Sequence, residues 1–105
     1  YWTDTGDILT GQDGVEHACE AETSLMLFLH PELVRMELAE DSPEDAESRF
    51  EAYPEGVGAG PPEPGWNGAE GAPTEGTAEK GRLIFERCLN PMLEHVSKAV
   101  GTSRS

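Results

Sequence analysis

The sequence predicts one piece of a larger α/β assembly, to which this chain contributes helices and long irregular connections. With 105 residues, the chain is long enough for one small domain at most. Apolar residues form a helical pattern in two segments, and the segment between them, residues 56–76, is dominated by Gly and Pro and cannot pack a core of its own. Two helices flanking such a loop bury little surface, and the strands that they would cover are not evident.

The first helix is predicted within residues 16–38, after a Gly-, Asp- and Thr-rich segment, residues 1–15, that predicts a loop or a weak strand. An uninterrupted apolar run from Leu25 to Leu29 suits a buried helix or a buried strand equally well by periodicity. Acidic residues and Thr-Ser precede this run and His30-Pro31 follows it, which favours the helix. The stretch after Pro31 predicts a short turn or an extended exit.

The second helix is predicted over residues 77–100 and follows a long loop, residues 39–76. Thr77 offers a helix cap, and Pro91 is expected to kink or divide the helix because it lacks a backbone donor. Trp66 stands in the Gly/Pro stretch, where it is either an aromatic lid over a pocket or an anchor at the surface or an interface.

Charge and cysteine content restrict the function classes. Twenty-one acidic residues against seven basic ones give a formal charge of −14, which repels phosphate backbones and anionic membranes. We therefore expect no nucleic-acid partner and, in the absence of a long apolar run, no membrane association. Two cysteines without a CxxC pattern or a Cys/His framework fit a reducing cytoplasm better than a disulfide scaffold or a zinc finger.

An acidic cluster precedes the first helix and holds the residue types that metal-assisted hydrolysis requires: Glu16, His17, Glu20 and Glu22. His17 and Glu22 differ by five positions and would lie about 140° apart on one continuous helix. They can converge only if His17 lies on the loop and Glu22 lies near the start of the helix. The alternative is ordinary capping by acids in a first helical turn, the role that we expect for Glu20.

Two blocks of the sequence resemble the creatininase (creatinine amidohydrolase) family. The first, HACEAETSLMLFLHPELVRME, is similar to the His-Ala-Gly-Glu-x-Glu-Thr-Ser segment that opens a helix in that family. The second, GVGAGPPEP followed by GAPTEGTAEKGRLIFE, looks like the Gly-Val-x-Gly-x-Pro and Ala-Thr-x-Glu-Lys-Gly segments that lead into the family's C-terminal helix. The blocks occur in the family's order and together cover about half of the chain.

The resemblance implies a creatininase-like single-domain α/β fold, of which residues 1–105 would be the C-terminal part. It implies a metal-dependent hydrolase of small or cyclic amides, with a divalent Zn, Mn or Fe cofactor, two ions per site. It also implies assembly into an oligomer, often a hexamer. The other metal ligands of the family have no counterpart in this sequence, so the site would be completed by an N-terminal half of the same enzyme or by a companion chain.

By position, the resemblance assigns Glu22 as the metal-facing carboxylate and His17 as the proton shuttle. Glu16 would orient His17 or touch the substrate. Cys19 replaces the usual Gly, which places a side chain next to the substrate site, and the long connection around Trp66 suggests a substrate lid. These two departures leave open a second reading, a non-catalytic creatininase-like subunit with an assembly or regulatory role. A small acidic interaction protein without any site is a third.

Overall fold

The computed structural model describes residues 4–15, 17–42 and 68–101. In these ranges the regular structure consists of two α-helices, three short 3₁₀ turns and one isolated antiparallel bridge. The predicted helices with little strand are confirmed for this part of the chain. The α/β class is not confirmed by it, since the described ranges contain no strand beyond the bridge, and it stays a prediction. Glu16, Trp66 and the rest of residues 43–67 lie outside the described residues.

The first helix, α1, spans Glu20–Leu29 and ends as the sequence predicts. The backbone amide of His30 donates to the carbonyl of Met26 at 2.7 Å, and Pro31 then opens a 3₁₀ turn, Pro31–Leu33. A second 3₁₀ turn follows at Met36–Leu38. Of the two alternatives for this stretch, the short turn is therefore confirmed.

Burial along α1 differs from the expectation of a buried helix. Its buried residues are Glu20, Ala21 and Ser24, all at the N-terminal end, whereas Phe28 is 36% exposed and Leu29 46% exposed. The reason is that the second helix contacts α1 along one face, which includes Ala21 and Ser24. The apolar run lies within the helix, but the residues that pack against the second helix are small and polar ones from the first turns of α1.

The second helix, α2, spans Ala78–Ala99 and begins at a side-chain cap. The Thr77 hydroxyl accepts a hydrogen bond from the backbone amide of Lys80 at 3.1 Å, which satisfies one of the amides left unpaired at the start of a helix and confirms the predicted cap. The helix continues through Pro91 to Ala99 and is not divided there.

The two helices approach most closely at Gly81 and Ser24. A Cβ atom on Gly81 would overlap the backbone oxygen of Ser24, so only glycine allows this contact. One turn further along, the rings of Phe28 and Phe85 pack with centroids 5.6 Å apart. The Ser24 hydroxyl accepts a hydrogen bond from the amide of Thr77, which fixes the start of α2 against α1.

A small apolar core lies where the N-terminal segment meets both helices. Its buried members are Ile8, Leu9, Cys19, Ala21 and Ile84. The segment that carries Ile8 and Leu9 forms turns in the described residues 4–15, and it is tied to α2 from outside the core. There, Arg87 forms an ion pair with Asp7 and donates to the carbonyl of Asp4 at 2.8 Å.

The C-terminal half of α2 has an apolar face that the described residues do not cover. Met92 is 44% exposed, and Leu93 and Val96 are each 55% exposed. The apolar residues of α2 thus keep their helical spacing beyond the region in which this helix contacts α1. Neither described helix combines the length and the apolar character that crossing a membrane requires.

Candidate functional site

The acidic cluster lies where the chain enters α1. Cys19 is the N-cap residue, and the residue before it, Ala18, has a φ of 47°, in the left-handed region that non-glycine residues rarely adopt. This conformation costs about 1–2 kcal/mol. Strain of this kind persists only where neighbouring contacts hold it, and such residues concentrate at functional sites.

Glu22 supplies one of those contacts. It is the third residue of α1, and its carboxylate reaches back to accept a hydrogen bond from the backbone amide of Ala18 at 3.2 Å. The residue also stands in the first turn of α1, near the positive end of the helix dipole. Glu22 therefore has a fixed position, with lone pairs remaining for a ligand.

His17 lies immediately before the strained residue and outside the helix. It pairs with Glu70 in the isolated antiparallel bridge, in which the amide of His17 donates to the carbonyl of Glu70 at 3.2 Å and the reverse bond is 2.8 Å long. The bridge anchors the backbone of His17, which is partly exposed. The structure thus meets the condition for convergence, since His17 precedes α1 and Glu22 lies in its first turn.

Glu22 lines an open cleft of about 360 Å³ between α1 and the following 3₁₀ turns. The other lining residues are Ala18, Thr23, Met26, Leu33, Val34 and Arg35. The lining thus combines an acidic, a hydroxyl-bearing and a basic residue with apolar ones. His17 is not among the lining residues, so a common ligand for His17 and Glu22 stays a prediction.

Glu20 has a different role from the one that its position suggests. The sequence predicts that its side chain caps α1, but the structure shows that it does not. The side chain is fully buried and accepts hydrogen bonds from the backbone amides of Thr10 and Gly11, both at 2.8 Å. The ammonium of Lys80 lies 2.8 Å from the same carboxylate. The expectation fails because these partners lie nine, ten and sixty positions away and cannot be inferred from local helix rules.

The environment of Glu20 keeps its carboxylate ionised. Burial alone would raise its pKa, but the hydrogen bond from Lys80 and those from the amides of Thr10 and Gly11 outweigh burial, and the pKa of Glu20 is lowered below its ordinary value. Gln12 adds to the network, because its side-chain oxygen accepts from the amides of Glu20 and Ala72. Glu20 is a structural anchor that holds the entrance to α1 in place.

Cys19 is fully buried within the core cluster. In this structure its side chain packs with Ile8, Leu9 and Ile84 and does not line the cleft. Substrate contact by Cys19 stays a prediction, as does the substrate contact of Trp66 and the role of Glu16, both of which lie outside the described residues.

The donor set bears on the predicted metal. Carboxylate and imidazole are suitable ligands for Zn, Mn and Fe, so Glu22 and His17 fit by type. Within the described ranges, however, no three side chains of His, Cys, Asp or Glu lie together in a group that could hold a metal ion. A complete metal centre would need ligands from outside the part of the chain that the structure describes.

Sequence reasoning missed Arg35 in the cleft and Lys80 as the partner of Glu20. A signal existed for the first, because Arg35 is one of only seven basic residues and follows closely on the proline that ends α1. No local signal existed for the second.

A comparison with protein-family models matches residues 2–96 to the Creatininase model, described as creatinine amidohydrolase. The match covers most of the chain and includes both sequence blocks that carry the resemblance, together with α1 and nearly all of α2. Searches of curated proteins and of solved structures gave no match.

Proposed function

We propose that this chain, which belongs to the creatininase family, supplies part of the active site of a metal-dependent hydrolase that cleaves the C–N bond of small amides. The family match indicates an amidohydrolase. The metal dependence, the substrate class and the completion of the site by other residues are our proposal.

The observation that carries the proposal is the fixed position of Glu22. Its carboxylate lines the cleft and is held by the amide of Ala18, a residue in a strained conformation. A catalytic carboxylate must be preorganised, because each loss of alignment lowers the rate. The fold places Glu22 on the first turn of a helix rather than on a loop, which provides this rigidity.

We assign Glu22 as the carboxylate that faces the metal, and His17 as the group that moves protons, with Glu16 beside it. An imidazole suits proton transfer near neutral pH. Hydrolysis consumes one water, breaks the C–N bond and yields a carboxylic acid and an amine. Because the described residues do not form a complete metal centre, we propose that the remaining ligands come from an N-terminal half of the same enzyme or from a companion chain in a cytoplasmic homo- or hetero-oligomer of hexameric type.

The experiment uses the intact protein together with everything that co-purifies with it. Its metal content is measured, and a panel of small linear and cyclic amides is screened before and after removal and return of Zn, Mn or Fe. We expect amide hydrolysis that is lost with the metal and restored by it. His17→Ala should abolish turnover, whereas His95→Ala, on the exposed end of α2, should not.

Two results would contradict the proposal. A protein that binds no stoichiometric metal and hydrolyses no amide lacks the proposed activity. A protein that binds metal but shows equal behaviour with and without His17→Ala fits instead the non-catalytic subunit with an assembly or regulatory role.

A further inference from the structure

Arg35 differs from the other basic residues that the structure describes. In residues 4–15, 17–42 and 68–101, each of the other basic side chains forms an ion pair with an acidic residue of the chain. These four residues are Lys80, Arg82, Arg87 and Lys98. Arg35 forms no salt bridge or hydrogen bond through its side chain within the described ranges, although the chain carries 21 acids.

The position of Arg35 explains why this matters. It lies between the 3₁₀ turns Pro31–Leu33 and Met36–Leu38 and lines the same cleft as Glu22, without forming a salt bridge with it. One basic and one acidic residue thus line the cleft without forming an ion pair with each other. Both remain available to a ligand.

The chemistry of the two groups defines the ligand. A guanidinium binds a carboxylate through two parallel N–H···O bonds, a match of charge and geometry that an ammonium does not reproduce. The Glu22 carboxylate can accept a hydrogen bond from an N–H group of the same ligand. The cleft is also lined by the apolar residues Met26, Leu33 and Val34, against which the carbon atoms of a small ligand can pack.

We propose that Arg35 binds a carboxylate of the substrate, and that the substrate class is therefore small amides that carry a carboxylate, such as N-acyl amino acids. Arg35 is a specificity-determining residue, and it orients the substrate so that the amide lies toward Glu22. A cleft of about 360 Å³ suits a ligand of this size. The inference rests on the proposed function, because it deepens the role of the same cleft.

The test measures binding to the protein after removal of its metal, so that neither probe is hydrolysed. The intact protein is labelled with ¹³C at its methionine methyl groups, since Met26 lines the cleft and Met92 lies on the exposed end of α2. The probes are N-acetylglycine and its methylamide, which differ in the carboxylate. We expect N-acetylglycine to shift the Met26 signal saturably and to leave Met92 unchanged, with a Kd about tenfold lower than that of the methylamide.

Variants separate Arg35 from a general charge effect. Arg35→Ala should weaken the binding of N-acetylglycine by about tenfold, to the level of the methylamide. Arg35→Lys should recover part of the loss. Arg82→Ala removes the same charge on α2, away from the cleft, and should change nothing. Equal titration by both probes, no titration by either, or unchanged binding by Arg35→Ala would overturn the inference.

An activity measurement distinguishes this inference from the proposed function. The inference fails and the proposed function stands if the protein hydrolyses amides with and without a carboxylate at equal kcat/KM, and if Arg35→Ala changes kcat/KM for neither. If no amide is hydrolysed and N-acetylglycine still binds through Arg35, the proposed function fails and Arg35 remains an anion site.

Discussion

The buried carboxylate of Glu20 lies 2.8 Å from the ammonium of Lys80, and this contact joins the first turn of α1 to the first turn of α2. Glu22 is two positions further along α1, about 200° around the helix. The two acids of one motif therefore point in nearly opposite directions. Glu20 faces the interior and stabilises the fold, whereas Glu22 faces the cleft.

The Glu20–Lys80 pair predicts a large loss of stability when its cation is removed. Lys80→Met leaves a buried carboxylate without its counter-ion, which should lower the free energy of unfolding by about 3 kcal/mol. Urea denaturation followed by circular dichroism measures the change. Arg82→Met, which removes exposed ion pairs from the same helix, is the control and should have a clearly smaller effect. Equal losses in the free energy of unfolding would show that the buried pair stabilises the fold no more than the exposed pairs do.

The lowered pKa of Glu20 predicts a dependence of stability on pH. The unfolded chain binds a proton at Glu20 at a higher pH than the folded chain does, so acidification favours unfolding. The contribution of Glu20 to the free energy of unfolding is fully present above the ordinary carboxyl pKa. It declines as the pH falls toward the lower pKa of the folded state. Urea midpoints between about pH 6 and pH 3 should fall less steeply for Glu20→Gln than for the native protein. Glu37→Gln, an exposed control, should retain the native slope, and an unchanged slope in Glu20→Gln would contradict the assignment.

The helix contact at Gly81 predicts that the smallest possible side chain disrupts the fold. In Gly81→Ala, the new methyl group would meet the backbone oxygen of Ser24, and separating the helices should cost about 2 kcal/mol even though alanine favours helix formation. Gly14→Ala is the matched control, because the methyl group that it adds would have no atom within 4 Å. Thermal unfolding of both variants measures the difference. A neutral Gly81→Ala would mean that the helices do not approach this closely.

Burial of Cys19 predicts different reactivity for the two thiols. Cys19 is fully buried, whereas Cys88 is partly exposed at the edge of the core. In native protein, a maleimide reagent should label Cys88 first, and Cys88→Ser should remain unlabelled until the protein is unfolded. Rapid labelling of Cys19 that a bound amide prevents would instead support the predicted contact between Cys19 and the substrate.

Local rules were sufficient for the helices. The apolar run before His30-Pro31 and the hydroxyl of Thr77 both act within one helical turn, and both helix α1 and the cap of α2 follow from them. Local rules did not reveal which side of α1 is buried, because that depends on where α2 crosses it. Gly81 determines the crossing, and its contact with Ser24 spans 57 positions of sequence.

The candidate site was predictable only in part. The five-residue offset requires His17 to precede the helix that carries Glu22 if the two side chains are to converge, and the structure meets this condition. Their convergence stays a prediction. The sequence did not predict that Glu20 is buried while Glu22 lines the cleft, because the burial of Glu20 depends on its contact with Lys80. The cleft was missed for a similar reason, as it forms only when the turns after Pro31 fold back beside α1.

Glu22→Gln tests the central claim most directly, since it preserves the shape of the side chain and removes its charge. In the intact, metal-loaded protein, metal affinity and amide hydrolysis are compared with those of Glu37→Gln, an exposed control on a neighbouring turn. We expect Glu22→Gln to lower metal affinity by at least about tenfold and hydrolysis by at least about a hundredfold, and Glu37→Gln to change neither. Metal affinity and hydrolysis in Glu22→Gln equal to those of the control would contradict a catalytic site at this cleft.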